Sequence, residues 1–113
     1  MGSANKVELS KCLIHSNCIL VEWEFDNINE KYEKLIQIAS KLPRTKEIER
    51  TRDYWHGVCR SLIFRFPDDL EILRLKRKNS RTIIQVKSAS KFGASDLGVN
   101  RKRINSLYKD LMQ

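Results

Sequence analysis

The sequence predicts a single α+β domain, an antiparallel sheet with both helices on one face. Three observations predict it: period-two alternation between residues 18 and 26, a 3.6-residue apolar repeat between 28 and 42, and consecutive apolar runs split by short turns between 54 and 90. The resulting order is strand, helix, four strands, helix.

From Cys18 to Asp26, Ile19, Val21, Trp23 and Phe25 alternate with Leu20, Glu22 and Glu24, as a half-buried strand requires. Ile28, Tyr32, Leu35, Ile36, Ala39 and Leu42 then recur at helical spacing. Asn27 stands where an N-cap belongs, Glu30 follows three residues on, and Pro43 ends the run. The polar segment "RTKEIERTRD" carries charges on both faces and suits an exposed edge strand. Tyr54, His56, Val58, Leu62, Phe64 and Phe66 share one parity, and Trp55, Cys59 and Ile63 the other, which predicts a long strand near the sheet centre. Pro67, Asp68 and Asp69 read as a turn. "LEILRLKRK", the turn "NSR" and "TIIQVKSAS" complete an antiparallel meander. Ile104, Leu107, Tyr108 and Leu111 lie at helical spacing, with Ser95 or Asp96 placed to cap the helix. This order is shared by TATA-binding-protein-like domains and small helix-grip relatives, an analogy of fold alone.

Across 113 residues, 22 Lys and Arg face 14 Asp and Glu, a formal charge of +8. The expected organisation is a segment over 1–17, extended or partly disordered, before one basic domain over 18–113. The chain is too short for a separate cofactor domain. No apolar run approaches the roughly 18 residues of a membrane-spanning helix. The amino terminus lacks a basic segment followed by an apolar one, so the default expectation is cytoplasmic. Of the three cysteines, Cys12 and Cys18 are read as ordinary thiols, although a disulfide between them is sterically open in an oxidising compartment. His15 lies between them, but no second Cys or His pair downstream completes a metal site. No metal or cofactor is expected.

The segment "VKSASKFGASDLGVNRKRI" joins a strand to a helix through serines, glycines and cations, a composition that packing alone seldom demands. With this stretch, with "FPDDLE" at Phe66 to Glu71 and with "HSNC" at His15 to Cys18, the chain resembles the domain-of-unknown-function 1499 family. The resemblance spans nearly the whole domain. Family members more often carry Pro where this chain has Ser16, and Arg where it has Lys87 and Lys91. The resemblance implies a site and names no reaction, substrate or cofactor.

Read from the residues, Gly93 and Gly98 permit positive backbone torsions, and amides before a helix can cup an anion. Ser88, Ser90, Lys91, Ser95, Asn100, Arg101 and Arg103 would add donors and charge. The competing reading is structural: Asp96 caps the helix, Gly98 serves a turn, and Arg101 or Arg103 pairs with Asp68 or Asp69. Neither GxxxxGK[ST] nor GxGxxG is present. A second feature is Arg74, Lys76, Arg77, Lys78, Arg81, Lys87 and Lys91, a run without an acid, which reads either as a field for nucleic acid, an anionic membrane surface or an acidic protein, or as an ordinary solvated sheet face. His56, Asp68, Asp69, Ser88, Ser90 and Asp96 are residue types of hydrolases, but no spacing links a nucleophile to a base. His56 is read as a satisfied core histidine and, with Asp68 and Asp69, as possible support for the site; Cys59 is read as core filler, and Trp23 and Trp55 as packing residues.

The expectation is a non-catalytic binding or accessory module that recognises an anionic small molecule or lipid through residues 88–103. The alternatives are a nucleic-acid module, or a protein-interaction subunit with an exposed apolar patch beside a basic one.

Overall fold

Alternating and helical apolar patterns settle into five strands and two helices in the computed structural model, which describes residues 8–63, 65–92 and 98–113. The elements are β1 (Cys18–Trp23), α1 (Ile28–Ser40), β2 (Thr45–Arg50), β3 (Tyr54–Arg60), β4 (Pro67–Lys76), β5 (Thr82–Ser90) and α2 (Val99–Leu111). The sheet order is β1-β5-β4-β3-β2, and every neighbouring pair is antiparallel. The first strand therefore pairs with the last, and α1 carries the chain from one sheet edge to the other.

Both helices bury their apolar stripes in one core. Leu35 and Ala39 of α1 and Leu107 and Leu111 of α2 meet Trp55, Leu70, Ile72, Ile84 and Val86 of the sheet. Burying such side chains is worth roughly 1.5–3 kcal/mol each, so this face supplies most of the cohesion. Trp55 lies across Gly57: a Cβ on Gly57 would fall 2.3 Å from the indole. The indole Nε1 donates to Glu47 Oε1 at 2.7 Å, tying the ring to the edge strand β2. Between Glu47 and Glu49 the register shifts, a bulge of the kind that blunts an edge.

The opposite, outer face carries a smaller cluster. Leu9 packs there on Tyr54 and Leu73, with Leu20 and Leu75 alongside. Its amide donates to Gln85 Oε1 at 2.8 Å, which anchors this stretch across the sheet.

Several local expectations need correction. β1 ends at Trp23, short of Asp26. β3 ends at Arg60, and Leu62, Ile63 and Phe66 stand exposed in the β3–β4 loop, with Phe64 outside the described residues. The parity had run on because the loop is itself apolar. Pro67, Asp68 and Asp69 form the start of β4, where cationic partners hold both carboxylates within the strand. Asn27 occupies the N-cap position of α1 without a side-chain cap bond. The N-cap of α2 is Gly98, at φ 82°, a left-handed conformation that glycine adopts without a Cβ clash. Ser95 and Asp96, expected to cap it, lie outside the described residues.

Cys12 and Cys18 are joined by a disulfide, with Cα atoms 5.6 Å apart, and are not the ordinary thiols expected. Cys59 is a free, buried thiol. No helix among the described residues is long and apolar enough to cross a membrane.

Candidate functional site

Strand register brings the chemistry to one end of the sheet. Asp68 opposes Ser90, Cys18 opposes Ala89 and Arg60 opposes Pro67, so the disulfide loop, the β3–β4 loop and the exit from β5 share that end. Residues of opposite parity there divide between the two faces.

On the helix face, Asp68, Ser88 and Ser90 point toward α2, whose Asn100 and Arg103 lie three residues apart and so share a side. Arg103 Nη1 lies 2.9 Å from Asp68 Oδ2, 3.0 Å from Ser88 Oγ and 2.8 Å from Asn100 Oδ1. The Ser88 hydroxyl donates to Asn100 Oδ1 at 2.6 Å. Asn100 Nδ2 donates to the Asn17 carbonyl at 3.1 Å and to Ser90 Oγ at 3.2 Å. Asn17, Asp68, Ser88 and Asn100 are all buried. A buried ion pair offsets its desolvation only when its remaining hydrogen-bonding capacity is also met, and here β4, β5, α2 and the residue before β1 supply the partners.

On the outer face, His56 Nε2 donates to Asp69 Oδ1 at 2.7 Å, and Lys91 Nζ approaches the same oxygen at 3.1 Å. His56 is half-buried on the outer face and hydrogen-bonded to Asp69, which corrects its reading as a core histidine. The bond from His56 and the ammonium of Lys91 hold the Asp69 carboxyl below the usual carboxylate range, against the opposing effect of burial. Tyr54 donates its hydroxyl to Glu71, and burial together with that carboxylate pushes the phenol up.

Beside this pair lies an open groove of about 560 Å³ lined by Arg44, Thr45, Lys46, Ile48, Val58, Arg60, Arg65, Pro67 and Lys91. Five cations line it and, among the described residues, no carboxylate. Backbone carbonyls orient two of them: Arg44 Nε donates to the Arg60 carbonyl at 3.1 Å, and Arg60 Nη1 to that of Arg65 at 2.9 Å. Arg44 and Arg65 take positive φ, 54° and 59°, so the backbone turns sharply at both.

The same end concentrates exposed apolar side chains. Leu13, Ile14, Leu62, Ile63, Phe66 and Phe92 are six of the nine large hydrophobics that stand exposed among the described residues; Ile48, in the groove wall, is a seventh. The first six come from three stretches of chain: the disulfide loop, the β3–β4 loop and the exit from β5.

Of the residues expected to bind a ligand, Ser88, Ser90, Asn100 and Arg103 therefore meet in the inner junction together with Asp68. Lys91 stands at the groove with Asp69 and His56 behind it. Gly98 forms the α2 cap, Arg101 is exposed and outside both clusters, and Gly93, Ser95 and Asp96 lie outside the described residues. Sequence reasoning missed Arg44, Lys46, Arg60 and Arg65; the one signal was Arg60 interrupting an apolar parity. It also gave no site role to Asn17, whose carbonyl closes the inner junction.

Of the seven cations in the sheet run, Arg74, Arg77, Arg81 and Lys91 are ion-paired, and Lys76, Lys78 and Lys87 make no ion pair among the described residues. Arg74 donates to Asp53 at 2.9 Å, to Asn29 at 3.2 Å and to the Arg52 carbonyl at 3.0 Å, and its guanidinium stacks 4.3 Å from the Tyr32 ring. Arg77 pairs with Glu8 and Glu22, and Arg81 with Glu24. Burial raises the Cys59 thiol, which keeps it protonated and a poor nucleophile. Among the described residues no three His, Cys, Asp or Glu side chains gather as a metal set.

Fold and site together define an α+β domain with a closed polar junction on one face of a sheet end and an open cationic groove on the other. The chain matches the family model described as protein of unknown function (DUF1499) over residues 4–111, and it belongs to that family. No curated protein matches it.

Proposed function

We propose that this chain is a non-catalytic binding module that captures an anionic group in the groove formed by Arg44, Lys46, Arg60, Arg65 and Lys91. The observation that carries this reading is the charge of the lining: five cations and no carboxylate among the described residues, with only Lys91 of the five ion-paired, to Asp69 beside the groove. Neighbouring cations of one sign raise the local potential and draw anions in. Guanidinium groups suit the oxygens of phosphate or carboxylate through paired N–H donors. The 88–103 segment contributes Lys91 directly; its Ser88, Asn100 and Arg103 support the site by joining β5 to α2.

A nucleic-acid reading of the sheet face has less support, because Arg74, Arg77 and Arg81 spend their charge on Asp53, Glu8, Glu22 and Glu24. The disulfide favours an oxidising compartment over the cytoplasm, since such bonds persist there.

The test is titration of the oxidised chain with inorganic phosphate and pyrophosphate, followed by amide chemical shifts and calorimetry. Shifts at residues 44–48, 58–60 and 91, weakened by salt and by Lys46→Gln with Arg60→Gln, are expected. Phosphate shifts confined to the α2 start, or none at any accessible concentration, would refute the groove.

A further inference from the structure

We infer that the anion captured is the phosphate of a lipid headgroup, and that this sheet end docks on a negatively charged bilayer surface. The inference rests on the anion-capturing role of the groove and names its source.

Three separate segments at the sheet end that carries the groove present exposed apolar side chains. Leu13 and Ile14 sit in the disulfide loop, Leu62 and Ile63 in the β3–β4 loop, and Phe92 just past β5. Leu13 is 94 % exposed and Ile63 80 %, so these side chains touch little of their own protein. Pro67 accepts the Lys91 amide at 3.1 Å, which fixes the exit of β5, and hence Phe92, against the start of β4.

Folding leaves these groups in water, so a partner must supply their apolar surroundings. Charge complementarity makes that partner anionic. A folded acidic protein would need preformed cavities matched to side chains on three loops, as interface cores are packed to the density of protein interiors. The headgroup boundary of a bilayer makes no such demand: it admits apolar side chains to a depth of about 5–10 Å while basic groups stay at the phosphates. Leu62 and Ile63 lie between Arg60 and Arg65 along the chain and Phe92 follows Lys91, so exposed apolar side chains and cations neighbour one another there, as such a boundary requires. The disulfide closes the loop bearing Leu13 and Ile14, so less conformational freedom is lost on docking.

The experiment is co-sedimentation of the full oxidised chain with vesicles of phosphatidylcholine alone or mixed with phosphatidylglycerol, at low and high salt. Binding to the mixed vesicles alone is expected, weakened by salt. Leu62→Ser with Ile63→Ser should lower partitioning at least about tenfold, because apolar burial contributes beyond charge. Lys46→Gln should lower it about fivefold, the contribution of one basic residue near an anionic surface. Both variants alter exposed side chains, and circular dichroism checks their fold. Equal binding to uncharged vesicles, or binding that the Leu62 and Ile63 changes leave intact, would overturn the inference. So would tighter binding of a poly-glutamate peptide, which would point to an acidic protein. Loss of vesicle binding with phosphate shifts retained in the groove would overturn bilayer docking alone; absence of both would also overturn the anion-capturing role.

Discussion

The two faces of one sheet end treat charge in opposite ways. Beneath α2, Arg103 meets Asp68, Ser88 and Asn100 and keeps only 11 % of its side chain exposed. On the other face, at β2, β3 and the start of β4, Arg44, Lys46, Arg60 and Arg65 line an open groove with no carboxylate among its described walls. Of the described residues in the richest polar sequence, Ser88, Ser90, Asn100 and Arg103 go to the inner junction and Lys91 to the groove. Polar residues that satisfy one another build architecture, and a ligand is better sought where charge remains unmatched.

The strongest challenge to this contrast is Arg103→Met. It strands the buried Asp68 carboxylate and should cost about 3–5 kcal/mol in urea unfolding. Adding Asp68→Leu should restore much of that loss; if it does not, the pair is doing more than neutralising itself. Next in size, Ser88→Ala removes a hydroxyl that bonds Asn100 and Arg103 and should cost about 1–3 kcal/mol.

Asp69 gives a pH-dependent version. Its pKa is depressed in the folded chain, chiefly by the bond from His56, so its contribution to stability is present above the unfolded value of about 3.9 and fades as pH falls through the folded value. Asp69→Asn should therefore lower the urea midpoint at neutral pH and lose its effect in strong acid. A constant gap across pH would mean that packing, and not ionisation, sets the loss. The smallest effect belongs to the groove: Lys46→Gln and Arg60→Gln should each shift stability by no more than about 0.5 kcal/mol, as exposed positions do, while weakening phosphate binding. A large loss of stability there would make the groove architectural too.

Much of the fold was legible because parity and helical spacing report which side chains are buried. Ile19, Val21 and Trp23 share the helix-facing core, as do Tyr32, Leu35, Ile36 and Ala39. The meander followed from turn residues between apolar runs. The β3 boundary was not legible, because Leu62 and Phe66 continue a strand's parity while standing in water. His56 was misread for a related reason: parity assigns a face, but only the register of β3 against β4 puts Asp69 within reach. The Arg103–Asp68 pair was one of several open pairings, and a spacing of 35 residues carries no signal without the fold. The groove was less legible still, since its cations come from four stretches that the sheet alone brings together.

The pairing of β1 with β5 also governs the order of assembly during synthesis. Asn17 leaves the ribosome early, yet its carbonyl waits for Asn100, 83 residues later, and the Leu9 amide waits 76 residues for Gln85. Contacts so distant along the chain slow the search for the native state, because loop closure precedes the gain from packing. The nascent chain must therefore hold Ile19, Val21 and Trp23 unpaired until its last strand is made. A chain that stops before α2 would leave Asp68 and Ser88 without Arg103 and Asn100, and with them the means to close the sheet.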